Sequence, residues 1–287
     1  MTKRAWNFGN IVNVSIISFL ALICLFPFIN IAAVSLSSSE AIVTGRISFF
    51  PVGFTWEWYD KVFSNKSMLQ SLWFTVYVTV IYVVMALLMS VFLAYPLSRK
   101  TFKGRTFILV MISITLYFSG GLVPTFLVVQ KLGMINSMWS LIIPVLINSF
   151  NVIIMKSFFS NIPESLIESA VMDGANDFVI LFRVVLPLSK AMLATIALFY
   201  MVARWNSYSD ALFYINDNSL YPLQLKLREL VALSQMNFDP NEQQDTGFVS
   251  EGIKSASIIF ATLPILLIYP WLQKYFVQGV TLGAIKG

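Results

Sequence analysis

The most constraining feature of the sequence is a series of long segments without any charged side chain. Asp, Glu, Lys and Arg are absent from residues 5–39, 67–98, 106–130, 132–155 and 255–273. Each run can supply a bilayer-crossing helix, which needs about 20 mostly apolar residues. Only 11% of the whole chain is charged and 57% is hydrophobic, whereas soluble domains carry about 25% charge. Because so little polar surface cannot cover a soluble globule, we expect an integral membrane protein.

A sixth apolar segment lies between Lys190 and Asp210 and is interrupted only by Arg204. Backbone amides in lipid must be bonded within their own segment, which favours helices. The first apolar run exceeds the 7–15 residues of a signal-peptide core, so we expect it to remain as a span. We predict an all-α protein with one transmembrane domain over residues 1–287. The six spans are expected at about residues 11–35, 72–95, 107–130, 139–159, 192–212 and 256–272.

Six spans place both termini on the same side of the membrane. The clearest marker of the inner side is the compact basic turn from Arg99 to Arg105, because lysine and arginine are enriched in short cytoplasmic loops. We therefore predict that both termini are cytoplasmic and that the protein lies in the cell membrane of a prokaryote. Topology accounts for the net positive charge, so no nucleic-acid partner is expected.

Several kinds of chemistry are excluded by composition. The chain has no histidine, and its one cysteine, Cys24, lies in the first predicted span. This excludes an internal disulfide, a cysteine metal cluster and the commonest general base. No Gly-Lys dipeptide occurs, so there is no P-loop to hold nucleotide phosphates. We expect a chain that is not itself an enzyme, with no catalytic residue, no metal site and no bound cofactor.

The most informative polar segment is the predicted cytoplasmic loop, residues 160–190. Pro163 suits the first turn of a helix, and Glu164 and Glu168 then lie one turn apart on one face. Gly174 fits the position after a helix end, where a left-handed backbone is needed. Asn176 can cap a second helix over residues 177–185. We predict a surface helix–turn–helix that presents acidic side chains, together with the small residues Ser169 and Ala170, outward.

The spacing in this loop resembles the EAA motif of ABC importer permeases. Glu168-Ser169-Ala170 is followed after three residues by Gly174, and after nine more by Val184-Val185-Leu186-Pro187. The family motif is Glu-Ala-Ala, three residues, Gly, nine residues, and Ile, any residue, Leu-Pro. Ser169 replaces the first alanine and Val184 the isoleucine, and both changes are small.

This resemblance implies a type I ABC importer permease fold, in which the loop forms a coupling helix that docks into an ATP-binding subunit. The coupling residues that it implies are Glu164, Glu168, Ser169, Ala170, Asp173, Gly174, Leu186 and Pro187. It also implies a dimer of ATP-binding subunits that hold ATP and Mg²⁺, a second homologous permease subunit and an extracytoplasmic solute-binding protein.

The chain looks closest to the maltose-permease-like branch that handles complex oligosaccharides. Phe118–Thr125, Trp205-Asn206 and the terminal Gly-Ala-Ile-Lys-Gly carry that likeness, and residues 279–287 resemble a tail that reaches the ATP-binding subunits. The resemblance implies import of an oligosaccharide, with acidic fragments of polysaccharides among the candidates. Two alternatives stay open: an ABC importer of a non-sugar solute, and an ion-coupled secondary transporter.

Polar and aromatic side chains inside spans usually face a cavity or a neighbouring helix. Amide and guanidinium groups can bond sugar hydroxyls, and aromatic rings can stack on sugar C–H faces. Arg204 could also pair with an acidic sugar, although an arginine that snorkels or forms a salt bridge between helices is an equal alternative. For the asparagines, hydrogen bonds between helices are the alternative. The predicted substrate-path residues are Tyr117, Ser119, Asn148, Asn151, Arg204, Trp205, Asn206 and Tyr208.

Overall fold

The computed structural model describes residues 8–236, 251–268 and 270, and this part of the chain is helical without any β-strand. The helices, named in chain order, are α1 Phe8–Ser35, α2 Ser39–Val43, α3 Glu57–Ser64, α4 Lys66–Ser98, α5 Arg105–Tyr117, α6 Leu122–Lys131, α7 Ser149–Ser160, α8 Glu164–Met172, α9 Asp177–Ile180, α10 Leu186–Leu188, α11 Lys190–Asn206, α12 Ser209–Tyr214, α13 Leu223–Met236 and α14 Glu251–Ile268. Short 3-10 turns precede α7, and a π-helical stretch, Leu181–Val185, joins α9 to α10.

The membrane-crossing elements are of two kinds. Three helices, α1, α4 and α14, are long and apolar enough to cross a bilayer alone. Three further pairs of segments are long and apolar enough to cross a bilayer only when each pair is taken together, and each pair is bent. The bends are 117° between α5 and α6, 50° between Met138–Val145 and α7, and 82° between Asp177–Leu188 and α11. Counting each pair as one span gives six in the described part of the chain. The predicted all-α, six-span fold class is confirmed, whereas the orientation of the termini stays a prediction.

Helix α4 is longer than the sequence indicates at both ends. It begins at Lys66 rather than near Leu72 because the Asn65 side chain accepts the free N–H groups of Ser67 and Met68. It also continues through Pro96 to Ser98. At 1.5 Å per residue its 33 residues extend about 50 Å, which exceeds the roughly 30 Å of the hydrocarbon core.

The third to sixth predicted spans also differ from single straight helices. The third is interrupted at Ser119-Gly120-Gly121, where Gly121 has a φ of +82° that favours glycine. The fourth begins in 3-10 turns, since Pro144 has no N–H to donate to a continuous ladder. The fifth ends at Asn206 instead of residue 212. The sixth begins at Glu251, ahead of residue 256, and its predicted end lies outside the described residues, as does the tail 279–287.

The described residues group into two compact units. The first contains the residues up to Leu69 together with Lys226–Met236 and Glu251–Leu263, and the second contains Gln70–Leu225 and the last described residues from Pro264. In the first unit Trp58 is fully buried and donates from Nε1 to the Ser37 carbonyl oxygen at 2.7 Å. The glycine at position 252 lies so close that an added Cβ would come 2.4 Å from the Trp58 ring.

The second unit has a larger core, which also contains polar side chains. Tyr200 is buried, shares a 2.6 Å hydrogen bond with Ser90, and packs edge-on against Tyr82. Tyr82 in turn donates to the Val145 carbonyl oxygen at 3.1 Å. These bonds tie α4 to α11 and to the 3-10 turns, so they fix the elements that carry most of the candidate site residues.

Candidate functional site

Helix α8 carries the motif residues and has no fully buried position. Glu164, Glu168 and Ser169 are exposed, as the sequence predicts. The predicted outward position of Ala170 is wrong, because this side chain is half-buried and packs against the core of the second unit. The outward face also contains apolar side chains that the sequence interpretation missed, since Met172 is 86% exposed and Val171 55%. An exposed acidic and apolar helix face suits docking to another protein.

The end of α8 is built by the turn at Gly174. Its φ is +80°, the left-handed conformation that the sequence predicts. The Ala175 N–H donates to the Ala170 carbonyl at 2.9 Å and the Gly174 N–H to that of Val171 at 2.9 Å. This pair of bonds is a Schellman motif, which satisfies the last carbonyls of a helix. Asp173 is the C-cap residue, so the Asp-Gly pair sets the direction in which the chain leaves α8.

The following segment returns the chain to the membrane through an irregular helix. The Asn176 side chain accepts from the Val179 N–H at 2.9 Å and caps α9, as predicted. The helix then widens into the π-helical stretch before Leu186 and Pro187. Leu186 packs against the core of the second unit, and Pro187 is exposed. Single π turns are rare and concentrate at functional sites, and this stretch lies between α8 and α11 in the chain.

A cavity of about 930 Å³ lies between the broken third span and the start of α7. Ser119 and Asn148, two of the predicted substrate-path residues, both line it. Thr115 and Ser149 also line it and share a 2.8 Å hydrogen bond. Thr115 is a lining residue that the sequence interpretation did not name. The rest of the lining is apolar and contains no charged residue among those described. Its size lies near the upper end of ligand pockets, about 300–1,000 Å³.

The guanidinium of Arg204 is bonded to other groups of the protein and does not line the 930 Å³ cavity. Its Nη1 lies 2.5 Å from Asp210 Oδ2 and 2.7 Å from the Leu141 carbonyl oxygen, while Nη2 lies 3.1 Å from Asp210 Oδ1. Asp210 also accepts from the Ser207 hydroxyl at 2.8 Å. The salt-bridge alternative therefore describes this arginine, which holds α11, α12 and the 3-10 turn Met138–Leu141 together.

The other predicted path residues do not line the large cavity. Trp205 and Asn151 are buried, and the Asn151 N–H bonds the Asn148 side chain at 3.0 Å. Asn206 donates to the Val202 carbonyl at 2.9 Å, back along its own helix. Tyr117 and Tyr208 are exposed, Tyr117 by 80%. Periodicity alone could not separate these positions, because the break at Gly121 and the turn at Ser207 decide which faces meet.

Bent membrane-crossing helices, an uncharged cavity and an exposed acidic helix on one loop are the features expected of a transport permease. Residues 66–282 match the family described as "Binding-protein-dependent transport system inner membrane component". The chain belongs to this family and is a multi-pass protein of the cell membrane.

Named relatives and a solved structure agree with this assignment. The chain is 45% identical to the Bacillus subtilis (strain 168) "Polygalacturonan/rhamnogalacturonan transport system permease protein YtcP", covering 93% of this chain and 94% of that protein. It is 39% identical to "Protein LplC" of the same organism, covering 99% and 97%. The structure is similar, with a TM-score of 0.85 and 33% identity, to a chain of a bacterial ABC transporter "involved in the import of the acidic polysaccharide alginate", covering 96% and 99%. The predicted resemblance to carbohydrate ABC importer permeases is confirmed.

Proposed function

We propose that this chain is the membrane-spanning subunit that carries an oligosaccharide rich in acidic sugars into the cell. The observation that supports it most directly is the uncharged 930 Å³ cavity, in which hydroxyl and amide groups stand among apolar side chains. Such a lining suits sugars, which present hydroxyl groups and flat C–H faces. The acidic class is suggested by two names, the polygalacturonan and rhamnogalacturonan permease and the alginate transporter.

Energy for transport comes from partners in this proposal. A dimer of ATP-binding subunits hydrolyses ATP with Mg²⁺ and binds the outward face of α8. A second, homologous permease subunit completes the path, and a solute-binding protein delivers the sugar from outside. Movement of α8 reaches α11 through the π-helical stretch, so the spans open alternately to the two sides of the membrane. Glu164, Glu168, Ser169, Asp173 and Gly174 shape the docking surface, and Leu186 anchors it to the core.

Ion-coupled transport has less support. A secondary transporter needs a carboxylate in the membrane that exchanges protons or binds cations. Asp210, which the sequence places at the edge of a span, is instead paired with Arg204 and two further donors. Persistence of uptake in proteoliposomes without ATP would nevertheless favour the ion-coupled alternative.

The substrate class can be tested with an isosteric change at Asn148. Asn148 lines the cavity and caps α7, and aspartate is as good a cap as asparagine. Asn148→Asp therefore preserves the helix start and adds one negative charge to the cavity. The matched control is Asn176→Asp, which makes the same change at the cap of α9, outside that cavity.

The measurement is uptake by the reconstituted complex of an acidic oligosaccharide, such as a galacturonate oligomer, and of a neutral one of equal length. We expect wild type to take up the acidic sugar preferentially and Asn148→Asp to lose that uptake selectively, because like charges repel. Asn176→Asp should leave the preference unchanged. Preferential uptake of the neutral sugar by wild type would contradict the acidic class, and uptake of neither would contradict oligosaccharide transport.

A further inference from the structure

A second cavity lies where α4 meets the basic turn, and none of the predicted substrate-path residues lines it. Its volume is about 560 Å³, and it is lined by the end of α4, the turn and the start of α9. The polar part of its lining contains two cations, Arg99 and Lys103, and one carboxylate, Asp177. Four aromatic residues complete most of the remainder: Phe92, Tyr95, Phe102 and Phe178.

The guanidinium of Arg99 is held in place by an uncharged partner. Its Nη2 donates to the Tyr95 hydroxyl at 3.1 Å, and its Cζ lies 4.9 Å from the centre of the Tyr95 ring. Within the described part of the chain, no carboxylate lies within ion-pair distance of Arg99 or Lys103. Two positive charges against one negative charge leave this cavity with an excess of one, which attracts a singly charged anion.

The aromatic side of the cavity indicates where the rest of the ligand lies. Phe92 precedes Arg99 by seven residues, or about 10 Å along the helix axis, toward the middle of the membrane-crossing helix α4. Phe178 is 66% exposed and Phe92 44%. A soluble anion would leave these rings uncovered, whereas a lipid places its phosphate at the basic end and its acyl chains against the rings. Basic pockets at the cytoplasmic ends of transmembrane helices are known sites for anionic headgroups.

We propose that this cavity, which we name the headgroup cavity, binds an anionic phospholipid with one phosphodiester charge, of the phosphatidylglycerol type. The phosphate lies between Arg99 and Lys103, and the acyl chains run along Phe92 and Phe178. The bound lipid would join the end of α4 to α9, the segment that leads from α8 toward α11. This proposal rests on the charges and the aromatic lining of the cavity and not on the substrate proposed above.

The neighbouring cavity provides an internal contrast. It has a volume of about 550 Å³ and shares Arg99 and Asp177 with the headgroup cavity. Its further charged residues are Lys100, Glu164 and Glu168, so carboxylates outnumber cations there. An anionic headgroup is repelled from that side, and Lys100 is therefore a matched control: a cation of the same turn that does not line the headgroup cavity.

The test is retention of phosphatidylglycerol by the purified complex, measured by native mass spectrometry after exchange into discs of equal phosphatidylglycerol and phosphatidylcholine. For wild type we expect selective retention of phosphatidylglycerol. A cation near a lipid surface contributes about fivefold in affinity, so Arg99→Gln and Lys103→Gln should each reduce retention about fivefold. Lys100→Gln should change it by less than twofold. Arg99→Lys, which keeps the charge, should retain most of the binding.

Each other outcome would overturn the proposal. Equal retention of both lipids by wild type would exclude an anionic site without the use of any variant. Equal losses in Lys100→Gln and Lys103→Gln would indicate diffuse attraction by the turn and not a defined cavity. Displacement of the lipid by excess inorganic phosphate alone would indicate a site for free anions, because a lipid held also by its acyl chains resists that competition.

Discussion

The guanidinium of Arg204 and the carboxylate of Asp210 form an ion pair within the membrane domain, with side chains that are only 3% and 13% exposed. The pair joins the end of α11 to the start of α12, and Arg204 reaches further to the Leu141 carbonyl. An arginine in this position suggests a substrate contact from sequence alone. Its contacts show instead that Arg204 stabilises the turn at Ser207, which separates the two helices.

Removal of one member of this pair should be costly because the other charge stays buried. We expect Arg204→Ala to lower the free energy of unfolding by about 3 kcal/mol, and Arg204→Met combined with Asp210→Leu to restore much of it. Denaturant unfolding of the purified chain in one detergent measures both. The control is Glu57→Gln, which breaks the exposed Lys61–Glu57 pair and should cost less than about 1 kcal/mol. Similar losses of unfolding free energy for the buried and the exposed pair would contradict a stabilising role of the Arg204–Asp210 pair.

Local patterns in the sequence were sufficient where one residue determines the backbone. Gly174 and Asn176 take the cap positions that their chemistry predicts, and the glycines before Leu122 break the third span. Tertiary contacts decided the rest. The side that Ala170 faces depends on a core assembled from distant helices, and the partner of Arg204 depends on a turn that ends α11 early. That Thr115 lines the cavity depends on the bend of the third span, which the apolar periodicity of the sequence does not specify.

The turn at Gly174 offers a test of backbone strain without steric clash. Apart from its chain neighbours, no atom of the described residues lies within 4 Å of a Cβ built there, so only the φ of +80° opposes a side chain. We expect Gly174→Ala to destabilise the end of α8 by about 1–2 kcal/mol, and Gly174→Asn to cost less because asparagine tolerates this region. Hydrogen exchange at the Ala175 amide, which bonds Ala170, should accelerate about 5–30-fold in the alanine variant. Equal exchange in the two variants would exclude backbone strain as the cause.

The contact between Trp58 and Gly252 predicts a steric clash without backbone strain, the reverse of the situation at Gly174. Gly252 has an ordinary backbone, yet a Cβ would come 2.4 Å from the buried indole. We expect Gly252→Ala to lower the free energy of unfolding by about 1–3 kcal/mol through overpacking. Gly9→Ala is the control, because Gly9 lies in α1 and, in the part of the chain that the structure describes, no atom outside its own helix lies within 4 Å of the added carbon. Trp58→Phe should make the alanine variant less costly than the two changes added separately, and strict additivity would argue against the contact.

The side chain of Ser189 makes a hydrogen bond at the bend between α10 and α11. Its backbone N–H donates to the Leu186 carbonyl at 3.1 Å, so the Val185 carbonyl receives the Ser189 hydroxyl instead, at 2.7 Å. Ser189 is fully buried. In Ser189→Ala the Val185 oxygen loses this donor where water cannot replace it, at a cost of about 1–3 kcal/mol. Because the bond lies between the π-helical stretch and α11, we expect this loss to loosen the connection from α8 to the spans.

Loosening of that connection should lower uptake per ATP hydrolysed more than it lowers ATP hydrolysis itself. Ser189→Thr should restore the ratio, because threonine can make the same bond to the carbonyl four residues back. Ser113→Ala removes a similar 2.8 Å bond to Leu109, but inside α5 the helical backbone supplies that carbonyl with another donor. Parallel assays of sugar uptake and ATPase in proteoliposomes measure the ratio. An unchanged ratio in Ser189→Ala, or an equal fall in Ser113→Ala, would show that the Ser189 bond has no special part in coupling.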